Sequence, residues 1–262
     1  MIRALYTAAS GMSAQQANLD TIANNLSNSA TVGFKQRRIQ FEDLVYQNLV
    51  TPGSAASQQT TSAGLQIGLG TKPIDSEVIM TQGEFNQTSG PLDLAISGTG
   101  FFQVQMPNGT LAYTRAGNFT LTNAGVVEDA NGNQLIPALS IPSNATNVSI
   151  SPYGVVTATL PGQNQATQLG TMQLATFPNP GGLNSLGSNL FQPSTASGNA
   201  ITDTPGGNTG MGTLQQGYLE NSNVDVVTEF VQMILAQRAY ESNSKVIHVA
   251  DDMYSQINGM IR

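Results

Sequence analysis

The chain has 262 residues, 39% of them hydrophobic, enough to bury a core in one large domain or two modest ones. Charged residues are only 10%, against roughly 25% in an average soluble domain. Gly, Asn, Gln, Ser and Thr take their place, a mixture that favours strands and turns. The net charge is −7 and no Lys or Arg lies between Arg115 and Arg238, so no phosphate-neutralising stripe can be drawn and no nucleic acid is expected as a partner. The absence of Cys removes disulfides, thiol nucleophiles and zinc–thiolate sites together. No apolar stretch approaches the ~20 residues of a spanning helix, so membrane insertion is not expected.

The N-terminal segment predicts a helix. Leu5, Met12, Leu19 and Leu26 recur at intervals of seven, with Ile2, Ala9, Gln16 and Ala23 at the complementary positions. The segment has one Arg and then small and apolar residues, but Thr7, Ser10 and Ser13 interrupt any signal-peptide core, so it reads as mature helix. The pattern runs to Asn28, and Gly33 is placed as a stop.

The segment Gln47 to Gly70 carries no charge and reads either as a flexible linker or as an extended, hairpin-like arm, the latter supported by the alternation of Leu65, Ile67 and Leu69 with Gln66 and Gly68. From about Thr71 to Gln215 short apolar runs alternate with turn signals. Phe101–Met106 precedes Pro107-Asn108-Gly109, Leu111–Thr114 precedes Ala116-Gly117, and Val126-Val127 precedes Asn131-Gly132, which argues an antiparallel meander, sandwich or small barrel. Pro178 to Gly212 reads as loop-rich.

The C-terminal segment predicts a second helix with the same device. Val226, Met233, Tyr240, Ile247, Tyr254 and Ile261 are spaced by seven, with Ala236, Asn243, Ala250 and Ile257 between them. Ser222-Asn223-Val224-Asp225 offers side-chain oxygens to its first turn, and Glu241 with Lys245 forms an i,i+4 pair. Both seams are weak, with Gln16, Asn243 and Glu229 on them and Ala at several positions. They suit helices that complete their folding when many copies pack together. The fold class expected is mainly β with terminal helices: an N-terminal assembly helix (residues 1–34), an arm (35–70), a central antiparallel β domain (71–215) and a C-terminal segment with its assembly helix (216–262).

Catalytic templates fail. A Ser-His-Asp triad would have to use His248, which reads as a helix-surface residue, and no Gly-x-Ser-x-Gly occurs. In Gly68-Leu69-Gly70-Thr71-Lys72, Thr71 separates Gly from Lys, which breaks the phosphate-loop pattern. Gly98-Thr99-Gly100 reads as a turn, lacking a third Gly at the dinucleotide spacing. Asp129–Asn133 reads as a hairpin turn because Gln134 and Ser140 stand where a calcium loop needs Gly and Glu. No catalytic residue, cofactor or metal ligand is assigned. An extracytoplasmic hydrolase with paired carboxylates stays as the enzymatic alternative, since only their folded separation would diagnose it.

Ala23-Asn24-Asn25-Leu26-Ser27-Asn28-Ser29-Ala30-Thr31-Val32-Gly33-Phe34-Lys35 resembles the N-terminal signature of the flagellar rod and hook proteins. Ser222–Val227 followed by Gln237-Arg238-Ala239-Tyr240-Glu241-Ser242-Asn243-Ser244-Lys245 resembles their C-terminal signature. Val32 replaces the usual Thr. Further matches are Gly98–Val104, Ala112–Arg115, Gln216-Gly217-Tyr218, and an arm from Pro52-Gly53 to Gly68 that resembles an insertion separating rod from hook subunits. The resemblance covers essentially the whole chain. It implies a structural subunit, not an enzyme, that assembles helically with copies of itself into the hollow distal rod of the bacterial flagellar basal body. Such a rod is a drive shaft that crosses the peptidoglycan and outer membrane inside the P- and L-ring bushing and carries torque to the hook. Implied partners are the hook protein, the proximal rod proteins, the ring bushing and the flagellar type III export apparatus, which passes such subunits without a cleaved signal. A sibling proximal-rod or hook subunit is the nearer alternative, and the arm discriminates.

Overall fold

The computed structural model describes residues 2–50, 55–56, 59–60, 64–162, 165–207 and 209–260. They form two compact units, one of residues 1–27, 37–77 and 225–262, the other of 28–36 and 78–224. The class is the one the sequence predicts: two helices at the ends of the chain and antiparallel strands between them. No helix among the described residues is long and apolar enough to cross a membrane.

In the first unit, α1 (Ile2–Ser27) and α2 (Val226–Met260) have 26 and 35 residues, which at the usual rise makes them about 39 and 53 Å long. At the start of α2, Asp225 Oδ1 accepts the Val227 N–H at 3.1 Å and Oδ2 accepts the Thr228 hydroxyl at 2.6 Å. These donors hold its carboxyl below the ordinary Asp value, so the cap weakens only as acid protonates it. The i,i+4 pair expected of Glu241 and Lys245 gives way to an exposed i,i+3 pair between Glu241 and Arg238 at 3.1 Å; the two spacings are near-equal neighbours on a helix.

The uncharged arm is an antiparallel hairpin. Tyr46–Val50 pairs with Leu65–Gly68, Tyr46 opposite Gly68 and Val50 opposite Leu65 across a bulge, and Ala55–Ala56 pairs with Gln59–Thr60 further out. Pro52, Gly53, Ser62 and Ala63, quoted for the resemblance, lie outside the described residues. At the root of the hairpin Gly70 takes φ +120 and presses on the Ser10 side chain of α1, whose hydroxyl accepts the Thr71 N–H at 3.3 Å. The glycine that imitated a phosphate loop thus serves a close approach.

The second unit is built around a nine-stranded antiparallel sheet in which Phe101–Gln105 is flanked by Gln134–Ile136 and Leu111–Thr114. The Asn108-Gly109 turn joins two of these strands, Gly109 at φ +83. Asn147–Ile150, Val155–Thr159 and Thr167–Thr171 make a separate three-stranded sheet. One core gathers Leu94, Ile96, Phe102, Val104, Leu135, Val156, Leu174 and Leu214; a second packs Phe101, Tyr113, Phe177 and Phe191, with Tyr113 and Phe177 edge to face at 4.9 Å. Pro178 to Gly212 is not merely loop: Asn184–Gly187, Leu190–Gln192 and Ile201–Asp203 are strands. They are three or four residues long and pair at the margins of the sheet, too short for alternation to register in the sequence.

One ion cluster closes this unit. Glu220 is fully buried; its Oε1 accepts from Lys35 Nζ at 2.6 Å and from the Gly83 N–H at 3.0 Å, and its Oε2 accepts from Arg115 at 3.2 Å. Lys35 also donates to the Thr81 carbonyl at 2.7 Å, and Arg115 to the Gly98 carbonyl at 2.7 Å with its guanidinium 5.5 Å from the Phe101 ring centre. Burial pushes both cations below their ordinary pKa values, while the Glu220 carboxylate works the other way. Lys35 and Arg115 are the unit's entire complement of Lys and Arg. Of its acidic residues, Glu84 is exposed, Asp93, Glu128 and Asp203 are half-buried, and Asp129 and Glu220 are buried. Replacing Glu220 by Ala strands two buried cations, and chemical denaturation is expected to register a loss of about 3–5 kcal/mol. A loss under about 1 kcal/mol would mean that the cluster does not hold the unit together.

Candidate assembly interface

The terminal helices pair through small residues. A Cβ added at Gly11 of α1 would lie 2.8 Å from Asn243 Nδ2 of α2, and Asn25 of α1 reaches Glu229 of α2. Fourteen residues forward on one helix therefore match fourteen backward on the other, so the pair is antiparallel. Along α1 the fully buried positions are Ala8, Ala14, Ile22 and Asn25, with Gly11, Gln15 and Asn18 half-buried. Leu5, Met12, Leu19 and Leu26 of the expected seam are half-buried, whereas Ala9 and Ala23 are exposed. The stripe closed within the single chain is thus displaced by one residue from the expected Ile2, Ala9, Gln16, Ala23 row. Ile2 belongs to α1, but its side chain lies outside the described ones.

Along α2 the covered stripe follows the heptad. Glu229, Ala236 and Ala250 are buried, and Met233, Asn243, Ile247 and Tyr254 half-buried. Val226, Tyr240 and Ile257 remain exposed, and Ile261 lies outside the described residues. About 140° round the helix runs a second apolar stripe that periodicity alone did not single out: Val227, Val231, Ile234, Leu235, Val246, Val249 and Met253. Leu235 is 62% exposed and Val227 72%. The signal was present, since β-branched and aliphatic residues fill both sides of α2, but a search for one seam stops at the first. His248 is exposed on this helix.

The signature residues divide by role. Asn25, 1% exposed, donates from Nδ2 to the Arg37 carbonyl at 2.8 Å and accepts the Arg37 N–H at 2.9 Å, which clips one strand's backbone to α1. Asn24 is exposed. In the β unit Asn223 does similar work, accepting the Gln36 N–H at 2.7 Å and donating to the carbonyls of Ile79 and Thr81. Gly33 takes φ +70 where a Cβ would come within 2.7 Å of the Arg115 carbonyl carbon. It is therefore a close-approach glycine lying beyond the end of α1 at Ser27, not the cap of that helix. Lys35 is the buried partner of Glu220, and Phe34 is half-buried beside it in sequence. Gln237 and Arg238 are exposed. Glu220 and Arg115 carry no local motif that marks them as partners; the one hint is that a Lys or Arg is conspicuous in so cation-poor a region.

Among the described residues no group of His, Cys, Asp and Glu could hold a metal. Asp129 is engaged in a turn, accepting the N–H groups of Asn131 and Asn133 and the Asn133 amide. What the helices offer is a long, partly uncovered apolar surface.

Comparison with known proteins places these features. A family model for the flagella basal body rod protein matches residues 5–35, one for the flagellar hook protein FlgE/F/G D1 domain matches 95–158, and one for the flagellar basal body rod FlgEFG protein C-terminal region matches 215–260. The flagellar basal-body rod protein FlgG of Buchnera aphidicola subsp. Acyrthosiphon pisum is 47% identical over 98% of this chain and 99% of its own. The protein so named in Caulobacter vibrioides is 47% identical over 96% and 97%, and that of Bacillus subtilis 38% identical over the full length of both. The crystal structure of the Helicobacter pylori flagellar hook protein FlgE2 matches 71% of this chain and 43% of its own at 13% identity and a TM-score of 0.25, a superposition too loose to bear on the fold. With such identity along nearly its whole length, the chain belongs to the FlgG family of flagellar basal-body rod proteins.

Proposed function

We propose that the chain is a structural, non-enzymatic subunit which polymerises helically with copies of itself into the hollow distal rod of the flagellar basal body and transmits torque to the hook. The observation that carries this reading is the second apolar stripe of α2, a row of large aliphatic side chains that the single chain leaves in water. Packing such a stripe against neighbouring copies turns a weakly covered helix into part of a tube wall, and the small contributions add along the polymer. The seam residues Ile2, Leu5, Ala9, Met12, Leu19, Ala23 and Leu26 of α1 join the same wall, as do Val226, Met233, Tyr240, Ile247, Tyr254, Ile257 and Ile261 of α2. Helices so incompletely covered suit a subunit that leaves through the flagellar type III export apparatus partly unfolded and without a cleaved signal. The hairpin arm, which stiffens contacts between neighbours, favours a rod over a hook subunit.

Its neighbours in this reading are the proximal rod proteins, the hook protein and the P- and L-ring bushing, at the level of the periplasm and outer membrane. With Lys35 and Arg115 consumed internally and Glu84 alone of its acidic residues exposed, the exterior of the β unit offers a surrounding ring few ion pairs to break on rotation.

Electron microscopy of the purified chain is expected to show straight tubes. Leu235→Glu with Val249→Glu raises the concentration needed for polymerisation by about tenfold or more, from the lost apolar burial and the charges placed in the contact, while the monomer's circular dichroism stays unchanged. Deleting residues 47–64 makes the tubes curve. If the double variant polymerises like the parent chain, the α2 stripe is not the contact, and cleavage of peptidoglycan fragments by the pure chain would restore the hydrolase. Adding three or four Lys to the β-unit exterior is expected to impair motility without lowering thermal stability. Normal motility in that variant would remove the argument from sparse charge.

A further inference from the structure

The seam between α1 and α2 is poor in shape. Ala4, Gly11, Asn18 and Asn25 recur every seven residues on α1, as do Glu229, Ala236, Asn243 and Ala250 on α2. The observed contacts, Gly11 with Asn243 and Asn25 with Glu229, set Asn18 in register with Ala236 and Ala4 with Ala250. Sliding one helix along the other by seven residues brings Gly11 opposite Ala236 or Ala250 instead. Within this row apolar packing barely distinguishes these arrangements, because apart from Glu229 every side chain exchanged is Asn-sized or smaller.

A buried polar contact does distinguish them. Glu229 is 3% exposed and Asn25 1%, and the Asn25 amide Nδ2 lies 3.4 Å from Glu229 Oε2. That amide is oriented before α2 arrives, because Asn25 Oδ1 accepts the Arg37 N–H and Nδ2 donates to the Arg37 carbonyl. A slide toward the C-terminal end of α2 leaves Glu229 facing beyond the last residue of α1. The opposite slide sets Glu229 against Asn18, which makes no such clip to a strand.

We propose that the Asn25–Glu229 contact selects the register of the helix pair, with Asn25 held by the Arg37 backbone as the fixed reference and Glu229 as the residue that reads it. A single buried polar contact is known to fix register in coiled coils at some cost in stability. Here it decides which α2 side chains remain on the outer stripe at each level, and so deepens the assembly reading. The register itself belongs to the single chain and stands or falls without polymerisation.

The absence of Cys makes the test clean. Three double-cysteine variants of the full chain are compared under mild oxidation at a dilution that keeps it monomeric: Gly11→Cys with Asn243→Cys for the observed register, and Gly11→Cys with Ala236→Cys or Ala250→Cys for the two slides. In the parent background only the first pair is expected to close. With Glu229→Leu added, circular dichroism is expected to show the helices still formed, but one or both slid pairs rise by about tenfold or more. Glu229→Gln, which retains an acceptor oxygen, keeps the observed pair dominant. The proposal is overturned if Glu229→Leu leaves the Gly11–Asn243 crosslink as dominant as in the parent, or if Glu229→Gln scrambles the register as fully as Glu229→Leu.

Discussion

Glu220 is a single carboxylate shared by two cations in a place water does not reach, and the β unit is organised round it. Lys35 comes from the first segment the chain contributes to that unit, Arg115 from the end of a central strand, and Glu220 from a strand near the unit's end. Any one of the three buried without the others carries an uncompensated charge, whose cost exceeds what a surface ion pair ever returns. The cluster is therefore less a source of net stability than a condition on completeness. The unit's lowest state has residues 35, 115 and 220 all in place, and the neighbouring backbone follows. Gly33 must lie against Arg115 and Ala116, and Asn223 must bind the backbone of Gln36, Ile79 and Thr81.

The helical unit obeys the opposite economy. Its internal seam is rich in Ala, Gly and Asn, with Ile22, Met233 and Ile247 among them, while most of the large aliphatic residues of α2 occupy its far side. Small residues let two helices approach closely but supply little burial, and seven large side chains left in water withhold on the order of 10 kcal/mol of potential apolar stabilisation. Two faces of one helix thus differ: one meets α1, and the other leaves most of its potential apolar burial unused in the single chain. A larger internal seam would stabilise the isolated chain and leave less to gain from a second copy.

Sequence legibility follows from how local each cause is. The two helices, the hairpin arm and the Asn-Gly turns were readable because each rests on residues within about ten positions of one another. On α2 the covered residues Glu229, Met233, Ala236, Asn243, Ile247, Ala250 and Tyr254 fall on the expected heptad, whereas Val226, Tyr240 and Ile257 of the same heptad stay exposed. On α1 the Leu and Met series outweighs Ala8, Ala14 and Ile22 in hydrophobicity, yet these three are buried, one to two residues off the expected row. With so many small residues round that helix, hydrophobicity alone locates its inner face only to within a residue or so. The short strands between residues 184 and 203 exist because neighbours in the sheet supply their hydrogen bonds. The Glu220 cluster joins residues 185 positions apart and left no local trace.

Sparse charge, the first property visible in the composition, has a structural distribution that composition does not convey. Had Lys35 and Arg115 been on the surface, the β unit would present a mixed exterior with ordinary ion pairs. Their burial on Glu220 removes three charges from the outside at once. Asp129 is withdrawn into its turn by Asn133, and Asp93 accepts the Thr88 hydroxyl at 2.6 Å. Solubility then rests on Asn, Gln, Ser and Thr, which hydrate well but bind weakly and without regard to sign. A surface of that kind meets another one without strong preferred orientations, because no interaction on it outlasts the loss of a few hydrogen bonds that water replaces. The same three residues that make the β unit fold as a whole are thus the ones that leave its exterior without a cation, carrying only a few scattered carboxylates.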